Sequence, residues 1–174
     1  VSRAFVKEDD DAPDEPLTPR PVSEQPNYVT AKGLAQLQAR LAELETQRVE
    51  LTPKADTDDA ARDRLRTIER DLRYYRVRVE SALLGGPQGR DAAVVGFGAT
   101  VTVRDDSGAR SRYTIVGEDE AEPDEGLVSW LSPLARVLEG GSVGERVVWR
   151  RPVGSLQLSI EAIVYEDAPE ERSD

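Results

Sequence analysis

Cysteine, histidine and methionine are absent from all 174 residues of the chain. Without cysteine there is no disulfide and no thiol nucleophile. Without histidine there is no imidazole base for a catalytic triad, and the loss of both removes the usual zinc ligands. Aromatic side chains make up only 5% of the sequence. No apolar run approaches the roughly 20 residues that a membrane span requires. The opening "VSRAFVKEDDD" has no apolar signal-peptide core, so the expected location is cytoplasmic. What remains for chemistry is carboxylate: 34 acidic residues stand against 23 basic ones, a net charge of −11.

That charge is unevenly distributed. Residues 1–29 hold three basic and seven acidic side chains, residues 30–83 eleven and ten, and residues 84–174 nine and seventeen. An acidic body repels free nucleic acid, so direct DNA binding is not expected and a basic protein partner fits better. Residues 1–28 combine prolines with clustered acids and little to bury. They read as a disordered tail, with Phe5 and Tyr28 as anchors should it order on a partner.

Helical periodicity begins at Thr30, a suitable N-cap. Leu34, Leu37, Leu41, Leu44 and Leu51 follow at three-four spacing, with Arg48 in the skipped position. Leu65, Ile68, Leu72, Tyr75, Val79 and Ala82 repeat the pattern after a polar break. Two such stripes predict an antiparallel coiled-coil hairpin over residues 29–83. The break is "LTPKADTDDAARD", Leu51 to Asp63. Pro53 ends the first helix, and Asp56, Thr57 and Asp58 can cap the second. Its aspartates read either as caps or as an acidic tip offered to another molecule. The arginines of the second helix, Arg62, Arg66, Arg70 and Arg73 among them, read either as a solvated face or as contacts to RNA or acidic walls.

Residues 84–93, with "GGPQG", read as a linker. From Val94 the period falls to two, predicting antiparallel strands over residues 94–166. Within them "SPLARVLEGG" reads as a short helix capped by Ser132, with Pro133 in its first turn. Leu156, Leu158, Ile160, Ala162 and Val164 are expected on one inward face of the last strand. Residues 167–174 form an acidic tail. The fold class is therefore α+β: a helical hairpin followed by a small sheet wrapped on one helix.

"FGATVTV" and "YTIVGEDEAEPDEGLVSWLSPLARVLEGGSVGERV" resemble the signature of the bacterial Gre transcript-cleavage factors. "YVTAKGLAQLQARLAELE" and "RLRTIERDLRYYRVRVESA" resemble that family's two coiled-coil helices. The resemblance implies an FKBP-like C-terminal domain that docks on bacterial RNA polymerase at the rim of its secondary channel. It implies a coiled coil that enters the channel as a monomer, and tip acids that help hold a second Mg2+ in the polymerase active site. The polymerase then cleaves backtracked RNA, so the factor is an accessory and not an enzyme, with no cofactor of its own. On this basis Asp58 and Asp59 are the expected catalytic acids, and Asp56, Asp58 and Asp59 the expected metal ligands. Asp119, Glu120, Ser132, Pro133, Ala135 and Arg136 match the segments that face the polymerase.

The tip departs from the family. "ADTDDAARD" lacks the Gly-Asp-x-x-Glu-Asn pattern and the following aromatic of the cleavage factors, and the first helix is shorter than theirs. The alternative is a non-cleaving channel regulator that competes with cleavage factors. A prolyl isomerase, suggested only by fold analogy, is disfavoured by the scarcity of aromatic residues.

Overall fold

The structure, a computed structural model, describes residues 17–86 and 91–165. A two-residue strand, β1 (Tyr28–Val29), leads into helix α1 (Ala31–Leu51). Thr30 caps α1 by accepting from the Gly33 N–H at 3.0 Å. Helix α2 (Asp59–Glu80) follows a short turn, and strand β2 (Leu83–Leu84) follows α2. β1 pairs in parallel with β2, Tyr28 opposite Leu83 and Val29 opposite Leu84. The two helices are therefore joined at one end by the turn and at the other by this clasp, and form a hairpin. Its seam is the leucine stripe read from the sequence. Leu37, Leu44, Ile68 and Leu72 are buried, with Leu41, Leu51 and Tyr75 packed beside them.

Part of the expected tail is not free. The segment from Leu17 to Asn27 has no regular structure but lies on the hairpin, where the Arg20 guanidinium sits 3.8 Å from the Tyr74 ring centre. Asn27, only 4% exposed, donates to the Arg78 carbonyl at 2.7 Å. The remainder of the expected tail, the middle of the linker and the C-terminal acidic segment fall outside the described residues.

The second unit is a five-stranded sheet in the order β5-β4-β3-β7-β6. Its strands are β3 (Ala99–Asp105), β4 (Arg110–Val116), β5 (Leu127–Ser129), β6 (Arg146–Arg151) and β7 (Gly154–Tyr165). Helix α3 (Pro133–Leu138) completes it, and Leu134, Ala135 and Leu138 join Val101, Val103, Ile115, Leu158 and Ile160 in the core. The sheet is mixed, not wholly antiparallel. Two short 3-10 turns between β4 and β5 carry the chain across, so β5 returns parallel to β4.

The last strand also differs from its simple alternation. Thr102 pairs with Ala162 but Val103 pairs with Ile160, leaving Glu161 as an extra residue in a bulge. One inserted residue reverses which side chains face inward. Leu158 and Ile160 are buried, but beyond the bulge Ile163 and Tyr165 pack on the core and Val164 is 53% exposed. Ala162 and Val164 thus move to the outer face.

Candidate functional site

Two regions carry the candidate residues: the hairpin tip and the junction at its base. At the tip, α1 ends at Thr52 and the chain turns through residues 52–57. Asp58 has extended backbone and caps α2, its Oδ1 accepting from the N–H groups of Ala60 (2.9 Å) and Ala61 (3.3 Å). Two of the helix's otherwise unpaired donors are satisfied in this way. Asp59 projects from the first turn, 93% exposed, and its Oδ1 accepts from Arg62 Nη1 at 2.7 Å. Arg62 also donates through Nε to the Ala55 carbonyl at 3.1 Å, stitching the turn to α2. Asp56 is exposed. Asp63 pairs with Arg66 at 3.6 Å.

Of the tip acids, Asp58 serves as a cap, and Asp59 and Asp63 as arginine partners. Among the described residues no three acidic side chains gather closely enough to hold a metal ion. Asp56, Asp58 and Asp59 do not by themselves fit a resident Mg2+, which asks for several oxygen ligands in near-octahedral array. Of the arginines on α2, Arg70 is held by Asp71 at 3.0 Å and Arg73 is exposed. Arg76 bridges to Glu45 of α1 at 3.1 Å.

The base of the hairpin is where sequence reading and structure part. Asp119 and Glu120, which by resemblance match polymerase-facing segments, both hold the hairpin on the sheet unit. They lie in a 3-10 turn, Glu118–Glu120, directly after β4. Arg78 of α2 has a side chain only 2% exposed, and its Nε donates to Asp119 Oδ2 at 2.5 Å. Glu118 stands 3.6 Å from Arg78 Nη2, an ion pair too long for a hydrogen bond. The Tyr74 hydroxyl donates to the other oxygen of Asp119 at 2.5 Å. Burial and this carboxylate together push the Tyr74 phenol up to about 12.

Glu120 reaches the start of α1. Its carboxylate accepts from the Thr30 N–H (3.0 Å), the Thr30 hydroxyl and the Gly117 N–H (3.1 Å). Gly33 makes room for it: a Cβ there would lie 2.0 Å from the Glu120 carboxyl carbon. Gly117 allows a second close approach, here to backbone, since a Cβ would meet the Tyr28 carbonyl oxygen at 2.5 Å. The Tyr28 ring packs edge-on against Trp130 at 5.1 Å and completes the joint. Glycine in the first turn of a helix, where alanine is favoured, was the sequence signal for this close approach.

The α3 candidates divide. Ser132 caps the helix by accepting from the Ala135 N–H at 3.1 Å, and Pro133 and Arg136 are exposed. Ala135 is only 2% exposed and belongs to the core.

Residues 90–165 match the family described as "Transcription elongation factor, GreA/GreB, C-term". The chain is 34% identical over 154 residues to the transcription elongation factor GreB of Pseudomonas aeruginosa, covering 81% of this chain and 92% of that protein. It is 31% identical over 156 residues to the GreA of Maridesulfovibrio salexigens, covering 79% and 94%. Among solved structures, GreA factor homolog 1 of Thermus thermophilus aligns with 80% of this chain and 99% of that one, at 23% identity and a TM-score of 0.39.

Proposed function

Because the chain belongs to the GreA/GreB family of transcription elongation factors, we propose that it docks on bacterial RNA polymerase through the sheet unit. The hairpin then enters the secondary channel. There the protein acts as an occupant that limits access, not as a supplier of a complete set of metal ligands. It is an accessory in this reading, without a cofactor of its own. Any chemistry belongs to the polymerase, and the setting is the bacterial cytoplasm.

The observation that carries this reading is the state of the apex: Asp58 is spent on a helix cap and Asp59 on Arg62. Arm length supports it. Twenty-one residues of α1 at 1.5 Å each give a reach of about 32 Å. The alignment with the Pseudomonas protein runs over 154 residues but takes up 81% of this chain's 174, which is fewer than 154. That relative therefore has residues within the aligned stretch that this chain lacks.

A second reading, stimulation of RNA cleavage, is favoured by the exposure of Asp56, Asp58 and Asp59 at the apex. A carboxylate that caps a helix through one oxygen keeps the other for a metal held mainly by the partner. In that case Asp58 or Asp59 would contribute one oxygen to a shared Mg2+.

Backtracked elongation complexes separate the two. The channel-occupant reading expects no release of the RNA 3′ fragment at saturating protein, and dose-dependent inhibition of a cleavage-active Gre factor. Stimulated release that disappears in Asp58→Ala with Asp59→Ala would overturn it in favour of the second reading.

A further inference from the structure

The face of the sheet turned away from α3 has a composition unlike the rest of this acidic sheet unit. Strand register places Arg110, Arg104, Ser159 and Arg146 in one straight row across β4, β3, β7 and β6. Arg112 lies two residues beyond Arg110 on β4, and Arg150 follows Arg146 at an alternate position on β6. Five arginines thus share one face. The carboxylate facing them is Glu161, the bulged residue of β7, which binds Arg104 Nε at 2.8 Å and Arg110 Nε at 2.7 Å. Arg112, Arg146 and Arg150 are exposed and have no ion pair among the described residues.

The geometry of Glu161 matters. Each of its oxygens takes the Nε of one guanidinium, which orients both side chains while they stay largely exposed, Arg104 at 53% and Arg110 at 70%. Oriented guanidinium forks of this kind recognise carboxylates with two parallel hydrogen bonds. The row runs through a shallow depression of 710 Å³ lined by Thr102, Arg104, Arg110, Arg146, Ser159 and Ala162. Apolar side chains sit among the charges: Val148 is 48% exposed and Val164 53%.

Two features select the occupant. The aromatic rings of these strands all pack on the core: Tyr113 and Trp149 against each other at 6.4 Å, and Tyr165 beside them on the same cluster. The outer face therefore offers no stacking platform, which single-stranded nucleic acid needs for binding to a sheet. In addition, β6 is an edge strand, and among the described residues its far side pairs with no other strand. An added strand takes its affinity from such an edge and its specificity from alternate side chains. On β6 those alternate side chains are Arg146, Val148 and Arg150.

We propose that this outer face, with the β6 edge, is a docking surface for an extended acidic segment of a partner protein. Its acidic side chains, at alternate positions, lie opposite Arg146 and Arg150. The surface is separate from the residues that join the hairpin to the sheet unit, and the proposal does not depend on polymerase binding.

The test uses the full chain, isotopically labelled, titrated with three probes at low ionic strength. These are an eight-residue peptide alternating glutamate with threonine and valine, the same peptide with lysine for glutamate, and an eight-nucleotide oligouridine. The glutamate peptide is expected to shift the amide signals of β6 and to bind at least about tenfold more weakly at 0.3 M salt, where surface charges are screened. Arg146→Glu with Arg150→Glu should weaken it at least as much without changing the melting temperature. The lysine peptide should not bind. Unshifted β6 amides, an unaffected double variant, or tighter binding of the oligouridine would each overturn the proposal.

Discussion

Replacing Asp119 by alanine removes the carboxylate that compensates Arg78, whose side chain is 2% exposed, while that of Asp119 is 14% exposed. Taking away one partner of a buried ion pair costs about 3–5 kcal/mol, because the other charge stays buried without compensation. Glu118, 3.6 Å from the guanidinium, retains some of the balance, which sets the expectation at the lower end. We expect Asp119→Ala to destabilise the chain by about 3 kcal/mol. For a chain of this length each kcal/mol moves Tm by about 2–4 °C, so a fall of about 6–12 °C follows. Thermal and urea unfolding measure the stability directly. Hydrogen exchange adds where the loss falls: protection should drop at the start of α1 and the end of α2 before it drops in β3 and β7. A double-mutant cycle with Arg78→Met isolates the pair, and residues in direct contact should be non-additive by about 0.5–3 kcal/mol. A Tm shift under about 1 °C for Asp119→Ala, or strict additivity in the cycle, would refute the claim that this pair fastens the two units.

Three further changes probe neighbouring parts. The Tyr74 phenol, raised to about 12 by burial and by its bond to Asp119, resists ionisation only in the folded chain. Its contribution to stability is thus complete below the ordinary tyrosine value of 10.0 and is lost as pH rises from there toward 12; absorbance titration should resolve a late-ionising tyrosine that Tyr74→Phe deletes. Gly117→Ala sets a Cβ against a backbone oxygen that cannot swing aside, and overpacking of this kind costs about 1–3 kcal/mol, measurable by urea unfolding. Asp58→Ala removes the cap of α2 at a cost of about 1 kcal/mol, so helicity should fray from the tip while the sheet unit melts unchanged.

The hairpin was legible because its seam repeats at helical spacing and its boundaries carry local signals, Thr30 and Asp58 as caps and Pro53 as a stop. Helix α3 was legible for the same reason, in Ser132 and Pro133. The bulge at Glu161 was not, since it depends on how β7 pairs with β3. A strand read alone gives only uninterrupted alternation, which put Ala162 and Val164 inside. The direction of β5 was hidden likewise, because two 3-10 turns and a strand of three residues do not reveal which way the chain returns. The structural role of Asp119 and Glu120 was hidden for a tertiary reason. Their partners Arg78 and Thr30 lie 41 and 90 residues away, and an acid that closes a joint has the same sequence appearance as one in water.

The joint fixes the direction of the arm as well as its attachment. An arm of about 32 Å is a lever, and a tilt of about 10° at its base would carry the apex through about 5–6 Å, more than the spacing of neighbouring β-strands. Angular stiffness at Arg78, Asp119 and Glu120 therefore sets the positional tolerance of Asp58 and Asp59. Substitutions far from the apex can misaim it while leaving every tip residue intact.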